Sequence, residues 1–280
     1  MKPLYGLIAN PVGHSMSPDI HNAALKDAGI DGHYHGFQVE KNQLEYAIKG
    51  MKALGISGFN VTVPHKVEIM QYLDKIDVTA ERLKAVNTVR LEDGHFVGYN
   101  TDGEGFLHSL LDALDQPLSQ LSFLMIGAGG AASAIYTTIA EYAPKRFDIT
   151  NRTIEKAEAL IENADGKITS SAFALKTAEE RLWDYDVIIH TTSIGMYPNV
   201  NETPLSLANA KKTAVICDIV YNPLETKLLS EAKQLGLKTV DGVGMFVGQA
   251  ARAFELWTGI TPDVKKMKSI VIEKLGGTPC

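Results

Sequence analysis

The chain has 280 residues, 45% of them hydrophobic and 21% charged, an ordinary globular composition whose length favours two domains over one. Its formal net charge of −6 excludes the basic face that nonspecific binding to nucleic acid or to an anionic membrane needs. No apolar run approaches the length of a membrane span, and no low-complexity tract or internal repeat interrupts the chain.

Short strand-like runs alternate with amphipathic stretches, the signature of α/β architecture. PLYGLIAN (3–10) reads as a strand. Ser17-Pro18 opens a helix, with the serine as N-cap and the proline at the first helical position, and Gly29 closes it. HYHGFQV (33–39) is a second strand. From Asn42 to Leu54, residues Leu44, Ala47, Ile48, Met51 and Leu54 share one helical face. GFNVTVP (58–64) is a third strand, followed by a helix over KVEIMQYLD. AVNTVRL and HFVGYNT flank Glu92-Asp93-Gly94, a hairpin signal. Residues 104–114 form a linking helix, and the Pro117 region marks a boundary.

Beyond it, LSFLMIG (121–127) is a near-continuous apolar run of the kind buried on both faces. A helix follows up to Pro144. RFDITN, KITSS, DVIIHTTS, AVICDIV and LKTVD read as further strands with helices between several of them. The tail holds two helices, about 245–257 and 262–275, the second capped by Thr261 with Pro262 in its first turn. Trp183 and Trp257 read as packing residues.

GAGGAA (127–132) follows a strand and opens a helix, fitting the dinucleotide fingerprint G-x-G-x-x-G/A with Gly127, Gly129 and Ala132. Gly127 makes the tight turn, Gly129 lets backbone approach a pyrophosphate, and Ala132 permits close helix–strand packing. The helix amino terminus then offers free N–H groups to the anion. The next strand ends in Asn151-Arg152-Thr153, where an NAD enzyme would carry an acid for the ribose 2′-hydroxyl. Arg152 can instead pair with a 2′-phosphate through its planar fork, and Thr153 adds a hydroxyl. The pattern predicts NADP over NAD.

In open α/β sheets ligands bind off the carboxyl ends of strands. Polar groups gather there in this sequence: Asn60, Thr62 and Lys66 after one strand, Asn87 on another, Asn100, Thr101 and Asp102 at the end of a third, and Ser15 and Ser17 at the start of the first helix. Hydroxyls, amides, one ammonium and one carboxylate suit a small polyhydroxylated substrate with a charged group. Each also has a structural reading. The serines can cap or satisfy a loop, the amides can tie down backbone, Lys66 can be a solvated lysine and Asp102 a helix cap. The eight histidines show no metal-ligand spacing, so no metal is expected.

The motifs NPVGHSMSP, GFNVTVPHK, AVNT, YNTDGEGF, GAGGAA, NRT, TTSIGM, DIVYNP and DGVGMFVGQAARAFELWTG, in this order, closely resemble the shikimate dehydrogenase family, whose members reduce 3-dehydroshikimate with NADPH. The resemblance runs from the first strand to the tail helices. It implies a substrate domain of residues 1–103 and 245–280 and a Rossmann-like NADP domain of residues 104–244, with the carboxyl-terminal helices returning to the first domain. By the resemblance, Ser15 and Ser17 hold the substrate carboxylate. Asn60, Thr62, Asn87, Asp102 and Gln249 meet ring hydroxyls or the reacting centre, and Tyr221 reaches the substrate from the nucleotide side. NADP would meet Gly127, Ala128, Gly129, Gly130 and Ala131, then Asn151, Arg152, Thr153, Ile154, Glu155 and Lys156, and finally Ile219 and Gly242. Lys66 and Asp102 match the family's catalytic pair, and His65 receives no role.

Two other functions fit parts of this pattern. One is a quinate or shikimate dehydrogenase that uses NAD as well, against which Asn151-Arg152-Thr153 speaks. The other is a noncatalytic NADP-binding regulator, which need not retain Lys66 and Asp102. The amino-terminal segment lacks the apolar middle region and cleavage site of a secretory signal. Of the two cysteines, Cys217 reads as a core thiol and Cys280 as a tail thiol rather than a disulfide pair. A cytoplasmic protein is expected, and monomer and homodimer are both compatible with the sequence.

Overall fold

The computed structural model describes residues 2–13, 15–163 and 168–277; Cys280, and Lys167 at the start of the KITSS stretch, lie outside them. The chain divides into two compact units, Met1–Thr101 with Gln249–Lys274, and Asp102–Gly248 with Leu275–Gly277.

The first unit is built on a six-stranded sheet. In chain order it has β1 (Leu4–Ala9), α1 (Ser17–Asp27), β2 (His33–Gln38), α2 (Leu44–Ala53), β3 (Gly58–Val61), β4 (Lys75–Ile76), α3 (Val78–Leu83), β5 (Thr88–Glu92) and β6 (His95–Tyr99). The strand order is β2-β1-β3-β5-β6-β4. β1 runs parallel to β2 and β3, whereas β5 is antiparallel to both β3 and β6. The expected hairpin forms, with Asp93 at φ 49° and Gly94 at φ 80°, the left-handed pair that a tight two-residue turn demands.

Alternation along β1 sorts its side chains onto two faces. Tyr5, Leu7 and Ala9 pack with Ala24 and Leu25 of α1, with Tyr34, and with Phe254. Ile8 faces the other way, toward Leu44, Ile48 and Met51 of α2 and toward Phe59 and Phe96. The tail helices α9 (Gly242–Thr258) and α10 (Val264–Lys274) supply the rest of this packing. Trp257 stacks on Tyr5 with ring centroids 5.1 Å apart, and its Nε1 donates to Val89 O at 2.9 Å. Lys266 and Lys274 pair with Asp27 and Asp19 of α1 at 2.7 and 2.6 Å.

Several local expectations shift. Ser17 is the first residue of α1 rather than its cap, and its backbone N–H is taken by Ser15 Oγ at 3.2 Å. Leu54 follows α2 as its C-cap and is 73% exposed, because the chain has already left the helical phase that buries Met51. KVEIMQYLD forms only a 3₁₀ segment, Glu68–Tyr72, since β4 begins three residues later and leaves no room for an α-helix. The unexpected α3 is nucleated by Asp77, whose carboxylate accepts from Thr79 N at 2.9 Å. Asp263 rather than Thr261 caps α10, accepting from Lys266 N at 3.0 Å, while Thr261 donates to Glu255.

The second unit opens with α4 (Asp102–Leu111) and continues with β7 (Ser122–Ile126), α5 (Gly130–Ala140), β8 (Arg146–Thr150), α6 (Ile154–Asn163), β9 (Ala172–Phe173), α7 (Leu175–Glu180), β10 (Val187–His190), β11 (Val215–Asp218), α8 (Lys227–Gln234) and β12 (Lys238–Val240). The strand order β12-β11-β10-β7-β8-β9 is parallel throughout. Counted from β7, this is the doubly wound order 3-2-1-4-5-6, with its switch point between β7 and β10. Both faces are covered, which explains the unbroken apolar runs: Phe123 and Met125 enter one core, Leu124 and Ile126 the other. The edge strand falls at Ala172–Phe173, beyond KITSS. Trp183, expected to pack, is 61% exposed in a short 3₁₀ turn before β10.

Candidate active site

In the first unit the strand order reverses between β1 and β3, and the polar residues singled out from sequence gather at the ends of these strands. They join one hydrogen-bonded line. Ser15 Oγ donates to Ser17 Oγ at 3.2 Å, and Ser17 bonds the Tyr34 phenol. Tyr34 Oη donates to Asn60 Oδ1 at 2.8 Å. Asn60 Nδ2 donates to Thr88 Oγ1 at 3.1 Å and Asn87 O at 3.3 Å. Thr88 Oγ1 donates to Asn87 Oδ1, and Asn87 Nδ2 to Thr101 Oγ1, both at 3.0 Å. Thr101 Oγ1 reaches Gln249 O at 3.1 Å. The amide of Asn60 therefore has its acceptor and both donors engaged inside the protein.

Thr62 and Lys66 lie just past β3. The Thr62 N–H donates to Ile8 O at 3.1 Å, and the Val86 N–H donates to Lys66 O at 2.8 Å, which fixes the lysine backbone beside Asn87. His65, between them, is completely buried with Nε2 2.7 Å from Val39 O. It anchors the loop, a role with no signal in the sequence. Asn100 Nδ2 donates to Ala85 O at 2.9 Å, so this amide ties backbone. Asp102 is buried at the first position of α4 and follows Thr101, whose own N–H donates to Asn87 Oδ1 at 2.9 Å.

Sequence reasoning also missed His21. It lies on the apolar face of α1, buried, with its ring stacked on Tyr34 at 4.4 Å and an interplanar angle of 9°. Burial lowers its pKa to about 3, with the Asn60 side chain pulling weakly the other way. The ring is thus neutral at physiological pH. Burial raises the Tyr34 phenol well above its ordinary value, against the Ser17 hydrogen bond, and keeps it a donor.

In the second unit the glycine loop lies at the carboxyl end of β7, at the switch point. Gly127 has φ 116°, and a Cβ there would stand 2.5 Å from Thr191 Oγ1, so only glycine makes this turn. Gly129 and Gly130 are different, because a Cβ on either would meet nothing in the protein. The space beside them is open, as the approach of a pyrophosphate requires, and α5 begins at Gly130 with its N–H groups directed outward. Ala132 is fully buried, giving the close helix–strand packing expected of it.

The Gly127 N–H donates to Thr150 O at 2.8 Å, which sets the loop beside the next strand end. There Asn151 Nδ2 donates to Thr153 O at 2.7 Å, Arg152 and Thr153 are exposed, and α6 carries Ile154, Glu155 and Lys156 in its first turn. No acid stands at this strand end. Gly242 packs so tightly that a Cβ would collide with the Ile219 carbonyl, which brings these two residues together. The Tyr221 ring lies against Phe246, with centroids 4.7 Å apart and the planes tilted by 31°, and burial raises its phenol. The donor set fits a dinucleotide with a 2′-phosphate. Among the described residues no group of acids, histidines or cysteines could hold a metal ion, and no helix is long and apolar enough to cross a membrane.

A doubly wound sheet with a glycine turn at its switch point, joined to a unit with a hydrogen-bonded polar edge and a lysine beside it, defines a dinucleotide-binding α/β enzyme. The comparisons with known proteins agree. Residues 7–89 match the shikimate dehydrogenase substrate binding domain, residues 110–243 the shikimate / quinate 5-dehydrogenase model, and residues 242–272 the shikimate 5′-dehydrogenase C-terminal domain. A shikimate dehydrogenase (NADP(+)) of Bacillus subtilis (strain 168) is 66% identical over 280 residues, covering all of both chains. A crystal structure of a shikimate dehydrogenase in complex with NADP+ is 42% identical, covers 98% of this chain and 96% of that one, and superposes with a TM-score of 0.91. A quinate dehydrogenase from Corynebacterium glutamicum in complex with NAD is 28% identical, with coverage of 97% and 99% and a TM-score of 0.90. The chain belongs to the shikimate dehydrogenase family.

Proposed function

We propose that this chain catalyses the reversible, NADPH-dependent reduction of 3-dehydroshikimate to shikimate, on the biosynthetic route to chorismate and the aromatic amino acids, with Lys66 and Asp102 as its catalytic pair. The observation that carries the reading is the polar edge of the first unit. Lys66 is fixed through Val86 beside the buried Asn87–Thr101 pair, at the reversal of strand order, in the segment that matches a substrate binding domain. Residues 1–103 and 245–280 form the substrate domain, and residues 104–244 the NADP domain.

When bound, NADPH supplies the hydride that reduces the ketone carbon. The Lys66 ammonium stabilises the negative charge that develops on the ketone oxygen and gives it a proton. In the direction of alcohol oxidation the same nitrogen, neutral, takes that proton back. Asp102, the other member of the pair, bonds a neighbouring ring hydroxyl and orients it for the transfer. Ser15 and Ser17 hold the substrate carboxylate. Thr62, Asn87 and Gln249 meet the ring hydroxyls, and Tyr221 reaches the substrate from the nucleotide side. Asn60, whose amide is engaged within the protein, acts by holding Asn87 and Thr88 in place.

Gly127 to Ala131 take the pyrophosphate, Asn151 to Lys156 the adenosine with its 2′-phosphate, and Ile219 and Gly242 the nicotinamide side. Arg152 supplies the pairing that an acid at this position would oppose. The setting is the cytoplasm, supported by the buried Cys217, which is free and whose thiol is pushed up by burial and the neighbouring Asp218 charge. The chain acts on a small molecule, without nucleic acid, as a monomer or homodimer.

Initial rates with NADP+ and NAD+, each on shikimate and on quinate, test the assignment. The largest kcat/KM is expected for shikimate with NADP+. A preference for quinate with NAD+ would replace this reading by the quinate dehydrogenase one, and NADPH binding without turnover of either acid would make the chain a regulator.

A further inference from the structure

The second unit buries a hydrogen-bonded histidine–aspartate pair that the proposed chemistry leaves idle. His190 ends β10 and Asp218 ends β11, opposite one another in register. Both are essentially inaccessible, with relative exposures of 0% and 1%. His190 Nδ1 lies 3.0 Å from Asp218 Oδ1. The same carboxylate accepts from Val220 N at 3.0 Å and from Thr226 Oγ1 at 2.7 Å, and Thr226 in turn caps α8 by accepting from Leu229 N.

A carboxylate that accepts from three sides fixes the imidazole tautomer, with the hydrogen on Nδ1. Nε2 lies on the opposite side of the ring, away from the carboxylate. Its partner is Thr192 Oγ1, at 2.5 Å. The oxygen of that hydroxyl also accepts from Ile194 N at 3.3 Å, which closes the turn Thr192–Ile194. Thr192 is the member of this line with partial exposure, and it sits against the glycine loop. A Cβ on Gly127 would stand 2.9 Å from Thr192 Cγ2, and the preceding Thr191 donates its hydroxyl to Ile126 O at 2.9 Å. β10 and β7 are the two strands that flank the switch point.

We infer that His190, held by Asp218, is a positioning residue for the cofactor site: it locks Thr192 and the turn that follows as the wall of the dinucleotide pocket facing Gly127. Cofactor affinity depends on that wall, and substrate affinity does not. The inference rests on the assignment of NADP to the glycine loop.

Binding of NADPH to the full chain, followed by nucleotide fluorescence, tests it with His190→Asn, Thr192→Val and the double variant. Asparagine places an amide where Nδ1 stood and keeps a donor for Asp218, but it does not reach Thr192. Valine keeps the shape of threonine without its hydroxyl. Each single variant is expected to weaken NADPH about tenfold, with the KM for shikimate within twofold of the parent. The double variant is expected to be no weaker than either single one, because both remove the same bond. Unchanged NADPH affinity in the folded single variants, or losses that multiply in the double variant, would overturn the inference. If His190→Asn does not fold, Thr192→Val decides alone. A parent chain that binds no NADPH would instead overturn the cofactor assignment itself.

Discussion

The Tyr34 phenol donates to Asn60 Oδ1 at 2.8 Å, across two strands of the first sheet, and this bond turns both amide hydrogens of Asn60 toward β5. A buried acceptor without its donor costs roughly 1–3 kcal/mol. Tyr34→Phe should therefore lower stability in urea by about that amount. It should also raise the KM for shikimate, because Asn87 and Thr88 lose their fixed partner. Unchanged stability and an unchanged KM would show that the line from Ser15 to Thr101 is not a unit.

His21 makes stability depend on pH in a definite sense. Its folded pKa, about 3, lies below the ordinary value of 6.5. The folded protein thus resists protonation that the unfolded chain accepts. The stability from the neutral ring is complete above pH 6.5 and falls as the pH drops toward 3, by about 1.4 kcal/mol per pH unit within that window. Urea unfolding at pH 5.5 and pH 4.5 should show this slope, and His21→Phe, which keeps a ring against Tyr34, should flatten it. An identical slope in the variant would contradict the assignment.

In the proposed cofactor site, Arg152 is the residue assigned to the 2′-phosphate. A charge-assisted guanidinium–phosphate pair contributes on the order of 1.5–3 kcal/mol, so Arg152→Ala should raise the KM for NADP+ by about 10- to 100-fold. The KM for NAD+ should move little. Equal effects on both nucleotides would place the arginine elsewhere on the cofactor.

The two kinds of glycine in the loop separate fold from ligand. Gly127→Ala forces a left-handed residue at φ 116° and a Cβ against Thr191, so it should cost stability, about 1–3 kcal/mol, as well as NADPH binding. Gly129→Ala adds a Cβ at φ −93° into space open to the protein. Its unfolding midpoint should hold or rise slightly, while NADPH affinity falls. Thermal melts with and without NADPH distinguish the two.

Much of the architecture is legible in the sequence because hydrophobic period decides it. The unbroken run Phe123–Ile126 belongs to a strand covered on both faces, and the alternation in β1 to one that divides two cores. Short elements are less legible. β4 has two residues, and the 3₁₀ segment at Glu68–Tyr72 carries a helical pattern in a space too small for a helix. The site follows the same division. Ser17, Asn60, Lys66 and Asp102 stand out as polar groups near strand ends and helix starts. Tyr34, His21 and His190 do not, because the partners of Tyr34 and His21 and the Asp218 partner of His190 come from distant segments that no local pattern joins. Trp183 shows the converse: a large ring with no periodic partner in sequence, and mostly exposed in the fold.

Lys66 is the residue proposed to act on the reacting oxygen. Steady-state kinetics of Lys66→Ala, with folding verified by circular dichroism, test it most directly. The expected kcat is lower by on the order of a hundredfold or more, with the KM for shikimate changed only modestly. A variant that keeps near-normal turnover, or whose loss appears entirely in KM, would contradict it.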